Sequence, residues 1–386
     1  MEPYSVLLKR IKQGEFPVGS RIASERDLAE DLQVSRTTIR RAILRLAEEG
    51  WIESRHGFRP VVRAKPAARE QTKTVALLMG SESSYRPFAR ILQGCEMELR
   101  RQGYLLVFLD TWAESSHGEV DRGHREQETL DYISAQAIER VILWCQEPEY
   151  ALSRLQSLHR HGVGIVTIDR EVPGADFDHV GIDNFRAART ATNYLIKANH
   201  REIAFATEQK DHASTVQLRL EGFLFEMRTN GLKASEDSII RFPFRATSDQ
   251  IATELRKRKE TGRMPTAIFA VNDLYAMRLL RALRSLAIRV PEDISVIGFD
   301  DMEPNGEEEG FLTTIRQPFT DIGRFAVRTL LQRFEEPNLP MVQVLLSTQL
   351  IERSSVRVLE LTRGGIPSLQ LQNPPSRVGS LGIEST

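Results

Sequence analysis

From Val75 onward, short and almost unbroken apolar runs recur along the chain. They are Val75–Met79, Leu105–Leu109, Val141–Trp144, Ile165–Ile168, Ile203–Ala206, Ala267–Val271 and Ile294–Gly298, with amphipathic stretches between them. A strand covered by protein on both faces needs no polar alternation, so this rhythm points to α/β layers built on parallel sheet. Gly103, Gly162 and Gly231 stand where three of the intervening helices must stop. About three or four strand–helix units precede Gly181 and about as many follow it, which favours two lobes over a single sheet. Crossings are expected near Gly181, Thr314–Pro318 and Val342–Leu346. The lobes would then run over about 73–181 plus 318–342, and 182–314 plus 344–362.

The segment before this body has a different pattern. Tyr4, Leu7, Leu8 and Ile11 share one helical face, and Gly14 is placed to end that helix. Ser24 can cap a second helix carrying Leu28, Ala29 and Leu32; Gln33-Val34 make a tight connection. Ser35 can cap a third, with Ile39, Ala42, Ile43 and Leu46 facing inward and Gly50 at its end. Trp51–Glu53 and Pro60–Val62 then flank the turn His56-Gly57-Phe58 as a two-stranded wing. Two short helices around a tight turn, followed by a wing, make a winged helix-turn-helix over residues 1–63. Residues 64–72 (AKPAAREQT) have no apolar periodicity and read as a linker, 73–362 as the α/β body, and 363–386 as a tail expected to be disordered.

Charge separates the same pieces. Residues 1–65 hold 13 Lys and Arg against 9 Asp and Glu, while the rest holds 39 against 44, so a basic end precedes an acidic body. That division suggests one module meeting a polyanion and another doing something else. No run approaches the roughly 18–20 apolar residues of a membrane helix. Basic residues interrupt the first segment where a signal peptide would be apolar. Two cysteines, Cys95 and Cys145, fit a reducing compartment and the core, so a cytoplasmic protein without disulfides is expected.

In the basic module, Arg36 and Arg40 lie four apart on one helical face, with Thr37 and Thr38 beside them. A helix N-terminus offers free N–H groups to phosphate, and arginine forks match guanine edges. Arg26 is placed to anchor the backbone, and Arg55, His56, Gly57 and Arg59 to enter the minor groove. In the body, ligands bind in the cleft outside the carboxyl ends of the strands. Asp169, Asn272, Asp273, Asp300 and Asp301 follow apolar runs there; Tyr85 and Phe88 follow the first strand, and Arg219 lies in the run STVQLRLEGF, which starts another helix. Carboxylates, amides and arginine bind vicinal hydroxyls, although an Asp or Asn after a strand also serves as a helix cap.

Catalysis has no sequence support, since neither GxxxxGK nor GxSxG occurs and no cofactor motif is present. His117, Glu119, Asp121, His124 and Glu126 lack an established ligand spacing, so no metal is expected.

The string GSRIASERDLAEDLQVSRTTIRRAILRLAEEGWIESRHG resembles the GntR-type winged helix-turn-helix. By that resemblance Arg26, Ser35, Arg36, Thr37, Thr38 and Arg40 fall on DNA-contacting positions, and His56 and Gly57 on the wing tip. The segments TIDREV, VGIDNFRAAR, LRLEGF, AIFAVNDLYAMRLLRAL, VPEDISVIGFDDME and LTTIRQPF resemble the LacI/GalR-type, periplasmic-binding-protein-like effector domain. Asp169, Arg219, Asn272, Asp300 and Gln317 match its effector-contacting positions, with Tyr85 and Phe88 as further candidates. The fusion is arabinose-repressor-like and lacks the LacI-type headpiece and hinge helix. The resemblance implies a dimeric repressor of carbohydrate genes that binds double-stranded operator DNA under a sugar-like effector. The alternatives are control by a purine or a protein co-regulator, and, from another class, a sugar-binding protein or an enzyme.

Overall fold

The computed structural model describes residues 3–48, 51–53, 59–62, 73–80, 87–111, 122–209, 213–243, 245–302 and 310–360. The chain divides into two compact units at Lys73/Thr74. The linker, the tail, the wing tip and the loop after the first body strand lie outside the described residues.

The first unit holds helices α1 (Pro3–Lys12), α2 (Glu25–Asp31) and α3 (Arg36–Glu48), then strands β1 (Ile52–Glu53) and β2 (Val61–Val62). Ser24 caps α2: the Asp27 amide donates to its hydroxyl at 3.2 Å, and its own amide donates to the Asp27 carboxylate. Gln33 takes the left-handed conformation (φ 52°) that makes the turn between α2 and α3 tight. Leu7, Leu28, Ile39, Ile43, Leu46, Ile52 and Val62 form the core, so the wing is packed into the helical unit. β1 and β2 pair antiparallel, Ile52 opposite Val62.

The second unit opens with β3 (Thr74–Met79), α4 (Pro87–Gln102), β4 (Leu105–Asp110), α5 (Arg122–Ala135), β5 (Arg140–Leu143), α6 (Pro148–Arg160), β6 (Gly164–Ile168) and β7 (Asp178–Ile182). It continues through α7 (Asn184–Lys197), β8 (Ile203–Glu208), α8 (Ser214–Thr229), β9 (Ile239–Phe242), α9 (Ser248–Glu260), β10 (Ala267–Ala270), α10 (Asp273–Ser285) and β11 (Ser295–Ile297). Last come β12 (Thr314–Arg316), α11 (Phe319–Glu335), β13 (Gln343–Leu346) and β14 (Gln349–Ile351). One parallel sheet has the order β13-β7-β6-β5-β3-β4, the other β11-β10-β8-β9, and β12 pairs antiparallel with β14.

The chain passes between lobes after Ile182, between Arg316 and Phe319, and after Leu346. The last passage corrects the expected boundary: residues 344–346 are in the first sheet, because β13 pairs with β7 in parallel register, Leu345 opposite Gly181. Arg333 fixes this return. Its guanidinium grips the buried Asp178 carboxylate at 2.7 and 2.8 Å, and the same carboxylate accepts the Val342 amide at 2.8 Å.

Helices α4 and α11 meet through reciprocal glycines. A Cβ on Gly94 would lie 2.0 Å from the Thr320 carbonyl oxygen, and one on Gly323 would lie 2.3 Å from that of Ile91. Most strands are buried on both faces, but β4 is not. It ends its sheet, and Leu105, Val107 and Phe108 are exposed there. Apolarity alone therefore overstated its burial.

Candidate functional sites

The first site is the exposed start of α3. Arg36, Thr37, Thr38 and Arg40 all face solvent, and Ser35 caps the helix through the Thr38 amide at 3.2 Å. The Ser35 and Thr38 hydroxyls also share a 2.7 Å hydrogen bond, so both do capping work. Arg40 is not a loose cation. Its Nε and Nη2 both donate to the Glu25 carboxylate at 3.1 Å, which fixes the plane of the fork while 67% of the side chain stays exposed. Arg26 stands next to that contact, exposed, with Asp27 at 3.8 Å. His56 and Gly57 lie outside the described residues. Glu25 was not singled out from the sequence, since its partner is fifteen positions away on another helix.

The second site gathers around Arg219, in the second turn of α8. This arginine is buried. Its Nε donates to Asn184 Oδ1 at 2.8 Å and its Nη1 to the Val271 carbonyl at 2.9 Å. The guanidinium stacks on Phe299, 3.8 Å from the ring centre, and lies 3.8 Å from the fully buried carboxylate of Asp300. Gln317 donates from Nε2 to the same carboxylate at 2.7 Å. Its Oε1 is buried and accepts no hydrogen bond among the described residues.

Asp169 follows β6 in the other lobe, buried, within electrostatic reach of Arg219 and 4.0 Å from Arg170. Burial pushes its carboxyl above the ordinary range, against the pull of Arg170, Arg219 and His179. The loop after β6 also reaches α8 directly, the Glu171 amide donating to Ser214 Oγ at 3.3 Å. Asn272 is beside Val271, but its Oδ1 accepts the Tyr275 amide at 2.9 Å, so this side chain caps α10. Phe88 meets Trp144, the residue after β5, edge to face at 4.9 Å. Tyr85 is outside the described residues.

Strain marks the same loops. Asp169 (φ 62°), Asp300 (φ 113°) and Asp301 (φ 54°) all have positive φ without being glycine, at a cost of about 1–3 kcal/mol each. Asp273, behind them, is buried, and burial with the charge of Asp300 drives its carboxyl well above the ordinary range. It accepts hydrogen bonds from Thr314 Oγ1 at 2.7 Å and the Met302 amide at 2.8 Å. Asp301 is the opposite case. Burial raises its carboxyl, but Arg316 and Arg353, each at 2.6 Å, outweigh burial and hold it below that range.

Asn184 and Phe299 were missed by sequence reasoning. Asn184 follows a strand just as Asp169 does, so the same rule applied to VGIDNF would have found it.

The remaining candidates have structural roles. Glu126 is buried and accepts the amides of Gln146 and Glu147 at 2.9 and 3.0 Å. Cys95 and Cys145 are free and buried. No cluster of metal-ligating side chains occurs among the described residues, while positions 117–121 lie outside them. A surface groove of about 660 Å³ between α7 and residues 350–358 is lined by Arg186, Arg189, Tyr194 and Glu352, and by none of the expected effector residues.

Residues 4–62 match the bacterial regulatory proteins of the gntR family, and residues 192–356 match the periplasmic binding protein-like domain. The chain is 29% identical over 371 residues to an arabinose metabolism transcriptional repressor of Geobacillus stearothermophilus, covering 91% of this chain and 95% of that one. It is 30% identical over 347 residues to the HTH-type transcriptional repressor PurR of Escherichia coli O1:K1 / APEC, covering 87% and 97%. Among solved structures, a transcriptional regulator CelR–cellobiose complex aligns with a TM-score of 0.63 at 27% identity, covering 84% and 92%.

Proposed function

Because the chain belongs to the family of helix-turn-helix transcriptional repressors built on a periplasmic-binding-protein-like body, with a gntR-type reader in front, we propose that it represses carbohydrate-metabolism genes under a sugar-like effector. Family membership makes it a DNA-binding transcriptional regulator and not an enzyme. The observation that carries the effector reading is the buried set Arg219, Asp300 and Gln317. It holds a polar acceptor, Gln317 Oε1, without a donor among the described residues, beside strained loops at the ends of β6 and β11. Asp169 joins these residues across the lobes, and Asn272, Phe88 and Tyr85 complete the set we assign to the ligand. The relatives named for arabinose metabolism and for a cellobiose complex favour a sugar.

On the DNA side, Arg26, Ser35, Arg36, Thr37, Thr38 and Arg40 form the contact surface, with His56 and Gly57 at the wing. Two copies would read a two-fold operator. The exposed apolar β4 edge supports a homodimer, since Leu105, Val107 and Phe108 would be covered by a second copy. No helix of the described residues is long and apolar enough to cross a membrane, and the place of action we assign is the cytoplasm. An effector that releases DNA must bind the DNA-incompetent state more tightly, and DNA must then weaken effector binding by the same factor.

The test is selection of duplexes from a random library, followed by anisotropy with the enriched site. A two-fold consensus whose binding weakens on adding a sugar is the expected result. Absence of any enriched sequence would refute the reader, and a site indifferent to every sugar would refute the effector class.

A further inference from the structure

We propose that the groove between α7 and residues 350–358 is the docking site of this chain's own segment Ile366–Gln372, which follows the described residues. It is independent of the effector assignment.

The place where the chain leaves the second lobe favours this occupant. The Arg357 amide donates to Ser295 Oγ at 3.1 Å, and the Leu359 amide to the Ala198 carbonyl at 2.9 Å. Asn199 Nδ2 adds a 2.7 Å hydrogen bond to the Leu359 carbonyl. The chain is therefore anchored to the C-terminal end of α7 one residue before Glu360, and Ala198 itself lines the groove. Val358 lines it too, 72% exposed although the backbone on both sides is tied down. Leu350, Val356 and the Tyr194 ring line the groove with it, so the apolar surface is a strip and not a single side chain.

The residues that follow have matching chemistry. Leu361–Gly365 make the connection, and Gly364-Gly365 allow the chain to reverse over α7. In IPSLQLQ, Leu369 and Leu371 fall on one face of an extended strand, and Pro367 has no N–H to leave unpaired. Seven extended residues span about 23 Å, close to the about 21 Å of the fourteen-residue α7. Charge also agrees. Arg189 pairs with Glu226 at 2.8 Å, and Tyr194 donates to Glu352, so the acids of the groove are engaged. Ile366–Gln372 carries no charge to disturb them, while its backbone carbonyls can accept from Arg186 and Lys197 on the same walls. A segment tethered this closely meets its groove at about millimolar effective concentration, so a weak contact is enough. Only this part of the 363–386 tail is assigned a place.

The experiment attaches a benzophenone to Thr190→Cys, an exposed groove position, in the full chain; Cys95 and Cys145 are buried. Lys259→Cys on α9, outside the groove, is the control. After photolysis, denaturation and trypsin, the peptide Gly364–Arg377 should be joined to position 190 about tenfold more often than to position 259. Leu369→Asp with Leu371→Asp should abolish that excess while circular dichroism stays unchanged. In an equal mixture of heavy- and light-isotope chains, the joined peptides should carry one isotope. Equal joining at both positions overturns the docking, and mixed-isotope products give the groove to a second copy instead. A product indifferent to the two Asp substitutions overturns the apolar argument. Without the probe, the Thr190→Cys thiol should react with a maleimide about tenfold more slowly in the full chain than in a chain ending at Glu360. Equal rates leave the groove open to another molecule, such as an acidic peptide of a partner, and overturn the proposal.

Discussion

Truncating Arg219 should damage the fold as well as the response to effector. Arg219→Ala removes two hydrogen bonds from a charged donor, each worth about 1.5–3 kcal/mol, and the cation stack on Phe299. It also strands Asp300, whose side chain is fully buried. At 3.8 Å the gross attraction between the two charges is about 4 kcal/mol for an effective dielectric near 20, before desolvation is subtracted. Leaving one partner of such a pair buried costs about 3–5 kcal/mol, a large share of the about 5–15 kcal/mol that typically holds a folded domain together. A double-mutant cycle separates the pair from the rest. Arg219→Met and Asp300→Asn are each destabilising, but the combined variant leaves no unopposed charge and should recover about 1–3 kcal/mol relative to additivity. Urea unfolding of the full chain, followed by the fluorescence of the buried Trp144 after Trp51 and Trp112 are replaced by Phe, reads the body transition. A coupling below about 0.5 kcal/mol would mean that the two groups do not sense each other, and the pairing argument would be wrong.

Four further outcomes follow from residues elsewhere in the chain. His200 is buried between Thr266 Oγ1 at 3.0 Å and the Arg357 carbonyl at 3.1 Å, and burial lowers its pKa to about 4. The unfolded chain therefore takes up this proton first, so stability should fall from pH 6.5 towards 4, by at most about 3 kcal/mol. His200→Gln should flatten that part of the urea-midpoint profile, and an unchanged slope would remove His200 from the account. Gly222→Ala would put a Cβ 2.3 Å from the Phe185 carbonyl oxygen and push α8 off α7, so a loss of about 1–3 kcal/mol is expected in thermal melts; a melting temperature within a degree of the parent would count against this packing. On the selected operator, Arg36→Ala should cost about 1–3 kcal/mol if the arginine reads a base, and equal weakening on random DNA would reduce it to a phosphate contact. Glu25→Gln should blunt operator discrimination by loosening Arg40, and an unchanged ratio of specific to random binding would show that the fork needs no support.

Much of this architecture was legible because its signals are local. The apolar runs became strands, and Gly103, Gly162 and Gly231 do end helices, at φ 72°, 88° and 69°. Ser24 and Ser35 cap as their positions imply. What the sequence hid is non-local. Periodicity reports how apolar a strand is and not where it stands in its sheet, so the exposure of β4 could not be read from LLVFLD. Likewise the Glu25–Arg40 and Asp178–Arg333 pairs join residues 15 and 155 positions apart, with no spacing rule to announce them. Within the site, position after a strand found Asp169 and Asp300, but could not separate a ligand contact from the capping role that Asn272 fills.

The interleaved crossings also bear on biosynthesis. The first lobe lacks its β13 edge until residue 346 has been made, and the second lacks the β12–β14 pair until residue 351. Neither lobe is a contiguous stretch of sequence. A nascent chain stopped anywhere between Gln102 and Phe319 therefore presents the α4 face, with Gly94 and Ile91, before α11 exists to cover it. The reader, complete by Val62, can fold long before its control domain. During synthesis the DNA-binding half exists without the half that regulates it.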